Sequence, residues 1–241
     1  MGPLVGIVLL PSALLYLLHF ALFRDARNVG FYTLMDLAFL PVQAILVSAV
    51  LEAFLSRREA AARTKKLGMV SGAFFSEVGD GLLALLSRRD AAAAARRGVL
   101  RVGVAWRKAE FEAAARASAA LGEALELGPA EFRELGDFLA ARRDFLLRLL
   151  ENPLLLDHEA LTDALMAVFH AHDELRLRSG FEGLPDSDLA HLGKDLERAY
   201  VALVKARLLH LAALKAGYPF LYSLALRADP LAEAGEPLVR D

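Results

Sequence analysis

The 241-residue sequence has no cysteine and a single tryptophan. With no thiol there is no disulfide framework and no cysteine nucleophile. The absence is compatible with a reducing compartment without assigning one. Serine chemistry is no better represented, since there is no G-x-S-x-G elbow and no evident Ser/His/Asp order. Apolar and polar residues do not alternate over any useful length, so no strand is expected. Without a strand there is no dinucleotide fingerprint. The GDG at residues 79–81 suggests a bend, but it lacks the Lys-Ser/Thr of a phosphate loop. No internal repeat is apparent. Charge is missing locally as well: residues 3–23 carry none, with His19 counted as neutral.

What the chain does have is two apolar runs, residues 3–23 and 31–55, the second with Asp36 near its start and Glu52 near its end. A bilayer-spanning helix needs about 20 predominantly apolar residues, and both runs meet that length. The link at 24–30 is a tight polar turn, so the two helices must be antiparallel neighbours. The first run lacks a charged n-region and an A-x-A-like cleavage site, so it reads as a retained span rather than a signal peptide. The turn holds Arg24 and Arg27, whereas Arg57, Arg58, Arg63, Lys65 and Lys66 follow the second run. The positive-inside bias then places both termini in the cytoplasm.

Ser12, Tyr16 and His19 share one face of the first helix, and Asp36 and Gln43 share one face of the second. Positions at equal depth in an antiparallel hairpin have a constant sum. His19 with Asp36 and Ser12 with Gln43 both give 55, so these two pairs are expected to meet. Intramembrane polar groups are costly and face a protein partner or a water-filled cavity. One reading is interhelical hydrogen bonds of about 0.6 to 2 kcal/mol each. The other is a protonatable or ion-facing pair lining a pore. Pro11 and Pro41 each free a carbonyl in mid-span and are expected to kink their helices.

Residues 56–108 carry twelve Lys/Arg against four Asp/Glu, and residues 109–241 fourteen against twenty-three. The overall charge of −2 hides that split. A basic belt beside the cytoplasmic leaflet attracts anionic lipid, at about 1 kcal/mol per residue. A nucleic-acid surface is not expected, because no motif and no basic–aromatic interleaving is present. Within the belt, residues 67–86 are apolar and rich in small residues. Gly68, Gly72 and Ser76 recur every fourth position, a spacing that lets helices approach closely. This stretch fits an interfacial or re-entrant helix, a self-association seam or a buried helix equally well.

From residue 88 on, only helical patterns occur. Residues 89–120 are rich in Ala and Arg, with an interruption at 98–103. Pro129 opens a helix that stops at Asn152–Pro153. Asp157 is expected to cap a helix reaching about Leu177, and Ser187 one reaching about Lys215 that Gly217 and Pro219 end. A short apolar piece follows, then a loose tail. Leu161, Leu165, Val168, His172 and Leu175 form the apolar stripe of one long helix. Leu189, Leu192, Leu196, Tyr200, Leu203, Leu211 and Leu214 form that of the next, with Arg207 intruding. Arg207 is expected to pair with Asp157 and Glu159 across this hairpin, and His172 to be a hydrogen-bonded core residue.

Five of the six histidines lie in this region. His170, Glu174, His191 and Asp195 fall at one level of the hairpin, and two imidazoles with two carboxylates suit a divalent transition metal. Helical phase argues against it, because His170, Glu174 and His191 lie opposite the apolar stripes. No E-x-x-H of the di-iron bundle kind is present either. No metal and no cofactor are therefore expected.

Three stretches, TLMDLAFLPVQAILV, KLGMVSGAFFSEVG and YPFLYSLALRADP, resemble an uncharacterised family of bacterial inner-membrane proteins. The resemblance implies two N-terminal spans and a helical cytoplasmic part, and no activity. The expected architecture is all-α. It comprises a transmembrane hairpin (1–55), a basic juxtamembrane region (56–108), a cytoplasmic helical domain (109–229) and a loose tail (230–241). The expected role is a non-enzymatic scaffold or regulator in the bacterial inner membrane, self-associating or holding a cytoplasmic partner. A small oligomeric channel is the alternative, and a membrane-bound metal-dependent enzyme the third reading.

Overall fold

The computed structural model describes residues 2–92, 100–118, 125–153, 155 and 158–231, apart from the side chains of 2–9 and 60–67. Asp157 and the tail from 232 lie outside the described residues, as do the side chains of Arg63, Lys65 and Lys66. The fold is all-helical, with an apolar N-terminal helical region followed by further helices. Among the described residues there is no strand; the nearest thing is one isolated bridge between Asp90 and Leu125. The chain divides into two compact units, 1–61 and 62–241.

The first unit is built on α1 (Gly2–Phe23) and the start of α2 (Ala26–Phe74). Both helices run through their internal prolines, Pro11 and Pro41. The turn is shorter than the sequence suggests. Arg24 takes a left-handed φ of 47°, and the Asp25 carboxylate accepts from the backbone N–H groups of Arg27 and Asn28 at 3.1 and 3.2 Å. Asp25 thus caps α2, which begins five residues before the second apolar run.

The second unit is organised around a long helix. After α2 come a π-turn (Phe75–Gly79), α3 (Asp80–Ser87), α4 (Lys108–Ala117), α5 (Pro129–Ala140) and α6 (Arg143–Leu150). They are followed by α7 (Glu159–Arg176), α8 (Asp186–Gly217) and α9 (Pro219–Arg227). Helix α8 packs along α7 and also receives α3, α4 and α9. The stripes on α7 and α8 are buried as their spacing requires, with Leu189 only partly covered.

One face of residues 68–86 belongs to this core. Phe74, Phe75, Val78, Leu82, Leu83 and Leu86 are buried against it. The GDG glycines allow close packing rather than a bend. A Cβ on Gly79 would lie 2.5 Å from the Phe75 ring, and one on Gly81 would lie 2.8 Å from the Phe138 ring.

Three local expectations need correction. The 129–151 helix is broken at Arg142, whose guanidinium donates to Glu77 O at 2.7 Å and Phe138 O at 3.0 Å and lies over the Phe138 ring. Those tertiary bonds satisfy carbonyls near the π-turn and at the end of α5. Helix α7 is capped by His158, whose Nδ1 accepts from Leu161 N–H at 3.2 Å. Helix α8 starts at Asp186, one residue before Ser187, with Pro185 in the cap position and two aspartates in its first turn.

Candidate functional site

The end of α2, the π-turn and α3 face the second half of α8 and α9 across an apolar groove of about 700 Å³. Met69, Phe75, Leu211, Leu214, Leu221 and Leu224 give it apolar walls. Gly72 lets the wall approach, since a Cβ there would lie 3.8 Å from His210 Cε1. Gly68 meets nothing within 4 Å and Ser76 is exposed. The expected seam of small residues is therefore one side of an open groove.

Arg207 and His210 supply its polar part. Arg207 is 3% exposed and does not reach Glu159. Its Nε donates to Asp80 Oδ1 at 2.9 Å and its Nη1 lies 3.2 Å from Asp229 Oδ1. The helical phase of α8 turns this residue toward α3 and the end of α9, away from α7. Burial raises the pKa of Asp80, outweighing the opposing pull of Arg207, as expected where desolvation competes with pairing.

His210 is 7% exposed and stacks on Phe75 with ring centroids 5.1 Å apart. Burial first, then the nearby Arg207 and His158 charges, push its pKa down to about 4. Ser71 Oγ lies 2.8 Å from His210 Nδ1 and donates to Gly68 O at 3.2 Å. The direction of the Ser71–His210 bond follows the imidazole tautomer: with Nδ1 protonated the ring donates to Ser71 Oγ, and with Nδ1 bare it accepts from it. Sequence spacing missed it because the partners are 139 positions apart.

In the hairpin, Asp36 meets Tyr16 rather than His19. The Tyr16 hydroxyl donates to Asp36 Oδ2 at 3.0 Å, and the His19 ring packs on Phe23 at 4.9 Å. The shorter turn explains the change, because it lowers the sum of level positions by about one helical turn. Gln43 lies with Asp36 and Tyr16 along one shallow cleft. Ser12 also makes an interaction. Arg57 and Arg58 are exposed, and Arg58 lies over the Phe54 ring at 5.9 Å.

The histidine region brings together the residues that fall at one level of the hairpin. His170 Nε2 and His191 Nε2 converge on Asp195 Oδ2 at 3.3 and 3.4 Å, with Glu174 Oε2 3.7 Å from His191. His170 and His191 stand about half exposed, as their helical phase requires, but Asp195 is 2% exposed and lies between them at the hairpin's edge. His172 is buried at 1% exposure, as its phase requires, but neither ring nitrogen has a hydrogen bond.

Comparison with known proteins divides the chain as the structure does. Residues 3–55 match a family described as MJ1433, N-terminal helical domain. Residues 63–227 match one described as uncharacterized protein MJ1433, C-terminal helical domain. Uncharacterized protein MJ1433 of Methanocaldococcus jannaschii is 39% identical over 219 residues, which cover 91% of this chain and 88% of the relative. That relative is archaeal, so restriction to bacteria is not supported. No solved structure matches the chain.

Proposed function

Because the chain belongs to the MJ1433 family, with both helical domains in order, we propose a membrane-anchored scaffold or regulator. Its hairpin spans the bilayer, both termini are cytoplasmic, and the second unit is a non-enzymatic module that holds a cytoplasmic partner or a second copy. The observation that carries this reading is the bare surface of α2. Within Ala26–Glu59 an 18-residue window has mean hydropathy 2.0, and none of that apolar window is buried. Leu34, Phe39, Ile45 and Val50 all stand more than half exposed. In water such a surface is unfavourable by about 25 cal/mol per Å². In lipid it is the solvated face of a helix whose backbone bonds are satisfied internally.

Two features support a binding role over catalysis or conduction. Arg207, the cation of the groove, is held by two aspartates, so the groove offers a shaped apolar surface whose charge is already paired. In the hairpin, Asp36 takes a hydrogen bond from Tyr16, which favours a structural polar face over a pore lining. Arg57 and Arg58 supply contacts to anionic headgroups.

The natural absence of cysteine makes the test direct. Asn28→Cys should react with an impermeant maleimide in intact cells, and Glu134→Cys only after permeabilisation. The protein should stay in membranes washed with alkaline carbonate and pass no ions in liposomes. Release by carbonate would overturn the anchoring. Ion flux that Asp36→Asn alters would replace the scaffold with a channel.

A further inference from the structure

We propose that His170, Glu174, His191 and Asp195 form a binding site for a divalent transition metal ion, clamping α7 to α8. The inference goes beyond the anchoring role and is independent of it. His170 and Glu174 are one turn apart on α7, and His191 and Asp195 are one turn apart on α8. Donor atoms of His170, Glu174 and Asp195 all lie within 4.8 Å of one another. His191 stands outside that set of three and adjoins it, with Nε2 3.4 Å from Asp195 Oδ2 and 3.7 Å from Glu174 Oε2.

The spacing is informative. A charge-assisted N–H···O bond closes to about 2.7–2.9 Å. Both imidazole Nε2 atoms instead stand 3.3 and 3.4 Å from the same oxygen, Asp195 Oδ2. Ligands about 2.0–2.1 Å from a tetrahedral ion are separated from each other by about 3.4 Å. The His191–Glu174 distance of 3.7 Å is close to that value too.

Asp195 Oδ2 provides a second, independent observation. It is a buried carboxylate oxygen without a hydrogen-bond partner, and it points into the cluster between the two imidazoles. Leaving such an atom unsatisfied is costly. The other oxygen, Oδ1, accepts from Arg198 at 2.8 Å, so the outer side of the ligand is already oriented. Glu174 Oε2 is shared with Arg178 at 2.6 Å, and Arg178 is also held by Asp188. His170 and Asp195 are therefore the central donors, with Glu174 in the same close set and His191 beside it. Two imidazoles with carboxylates suit Zn²⁺, Co²⁺ or a similar ion. His170 also lines a cleft of about 810 Å³ between α7 and α8, which provides an entry path.

The test uses full-length protein in detergent with any polyhistidine tag removed. Titration with Co²⁺ should give visible ligand-field bands saturating at one ion per chain, bleached by Zn²⁺, and should raise the melting temperature by linkage. His170→Asn and His191→Asn should each weaken binding by roughly tenfold or more. Both side chains are about half exposed, so these variants retain the fold, which circular dichroism checks. Absence of saturable Co²⁺ or Zn²⁺ binding would overturn the proposal. So would equal binding by the double variant. Either result would leave the cluster as an ion-pair network.

Discussion

Acid should unfold the second unit through His210. In an unfolded chain an imidazole titrates near 6.5, whereas in this fold burial holds His210 at about 4. The unfolded chain therefore takes up the extra proton first, and stability falls as pH descends. Its contribution is fully present above about pH 6.5 and is lost progressively toward pH 4. Linkage between those two values gives a loss of about 2 kcal/mol from pH 7 to pH 5, and about 3 kcal/mol by pH 4. For a unit of this size, 2 kcal/mol lowers the melting temperature by about 4–8 °C.

The single tryptophan provides the assay. Trp106 meets Phe111 edge-on at 5.2 Å and packs on the core of the second unit, so its fluorescence follows that unit's unfolding in the intact chain. The comparison is with His210→Phe. A phenyl ring keeps the stack on Phe75, and Ser71 still donates to Gly68 O. Other titrating groups cancel in the difference between the two proteins. The variant should lose about 2 kcal/mol less than the natural protein between pH 7 and pH 5. Parallel pH dependence of the two proteins would refute the reasoning.

Removing Arg207 should be among the most damaging single changes. Arg207→Met leaves Asp80 and Asp229 without their shared cation and should cost about 3–5 kcal/mol in urea unfolding. Two glycines should respond in opposite directions. Gly81→Ala drives a methyl group to 2.8 Å from the Phe138 ring, which Arg142 covers, and should destabilise by about 1–3 kcal/mol. Gly68→Ala meets nothing within 4 Å inside α2 and should stabilise by about 0.5–1 kcal/mol. Finally, His172→Leu removes a buried imidazole whose Nε2 has no hydrogen bond and whose Nδ1 has only the 3.4 Å contact with Asp173, and should raise the unfolding midpoint by the equivalent of about 1 kcal/mol.

Periodicity made the helices legible. The stripe from Leu161 to Leu175 and its partner from Leu192 to Leu214 are buried almost residue for residue, because phase along a helix is set locally by 3.6 residues per turn. Turn length was less legible. Asp25 caps α2 with its own side chain, and that shortening moved Asp36 from His19 to Tyr16. The break at Arg142 left no local signal, since its cause is a carbonyl at Glu77, 65 positions away.

Phase and spacing also mark the limit of the sequence. By itself it determined the all-helical class, the apolar N-terminal region, the faces that are buried and the intrusion of Arg207 into an apolar stripe. These follow from local repeat and composition. Only the tertiary structure decided what Arg207 pairs with, that one face of residues 68–86 is core, and that Ser71 meets His210. It also decided that two half-exposed histidines converge on a buried aspartate. Each of these depends on which distant helix covers a given face. Long-range packing sets that choice, and one helix's residue pattern does not record it.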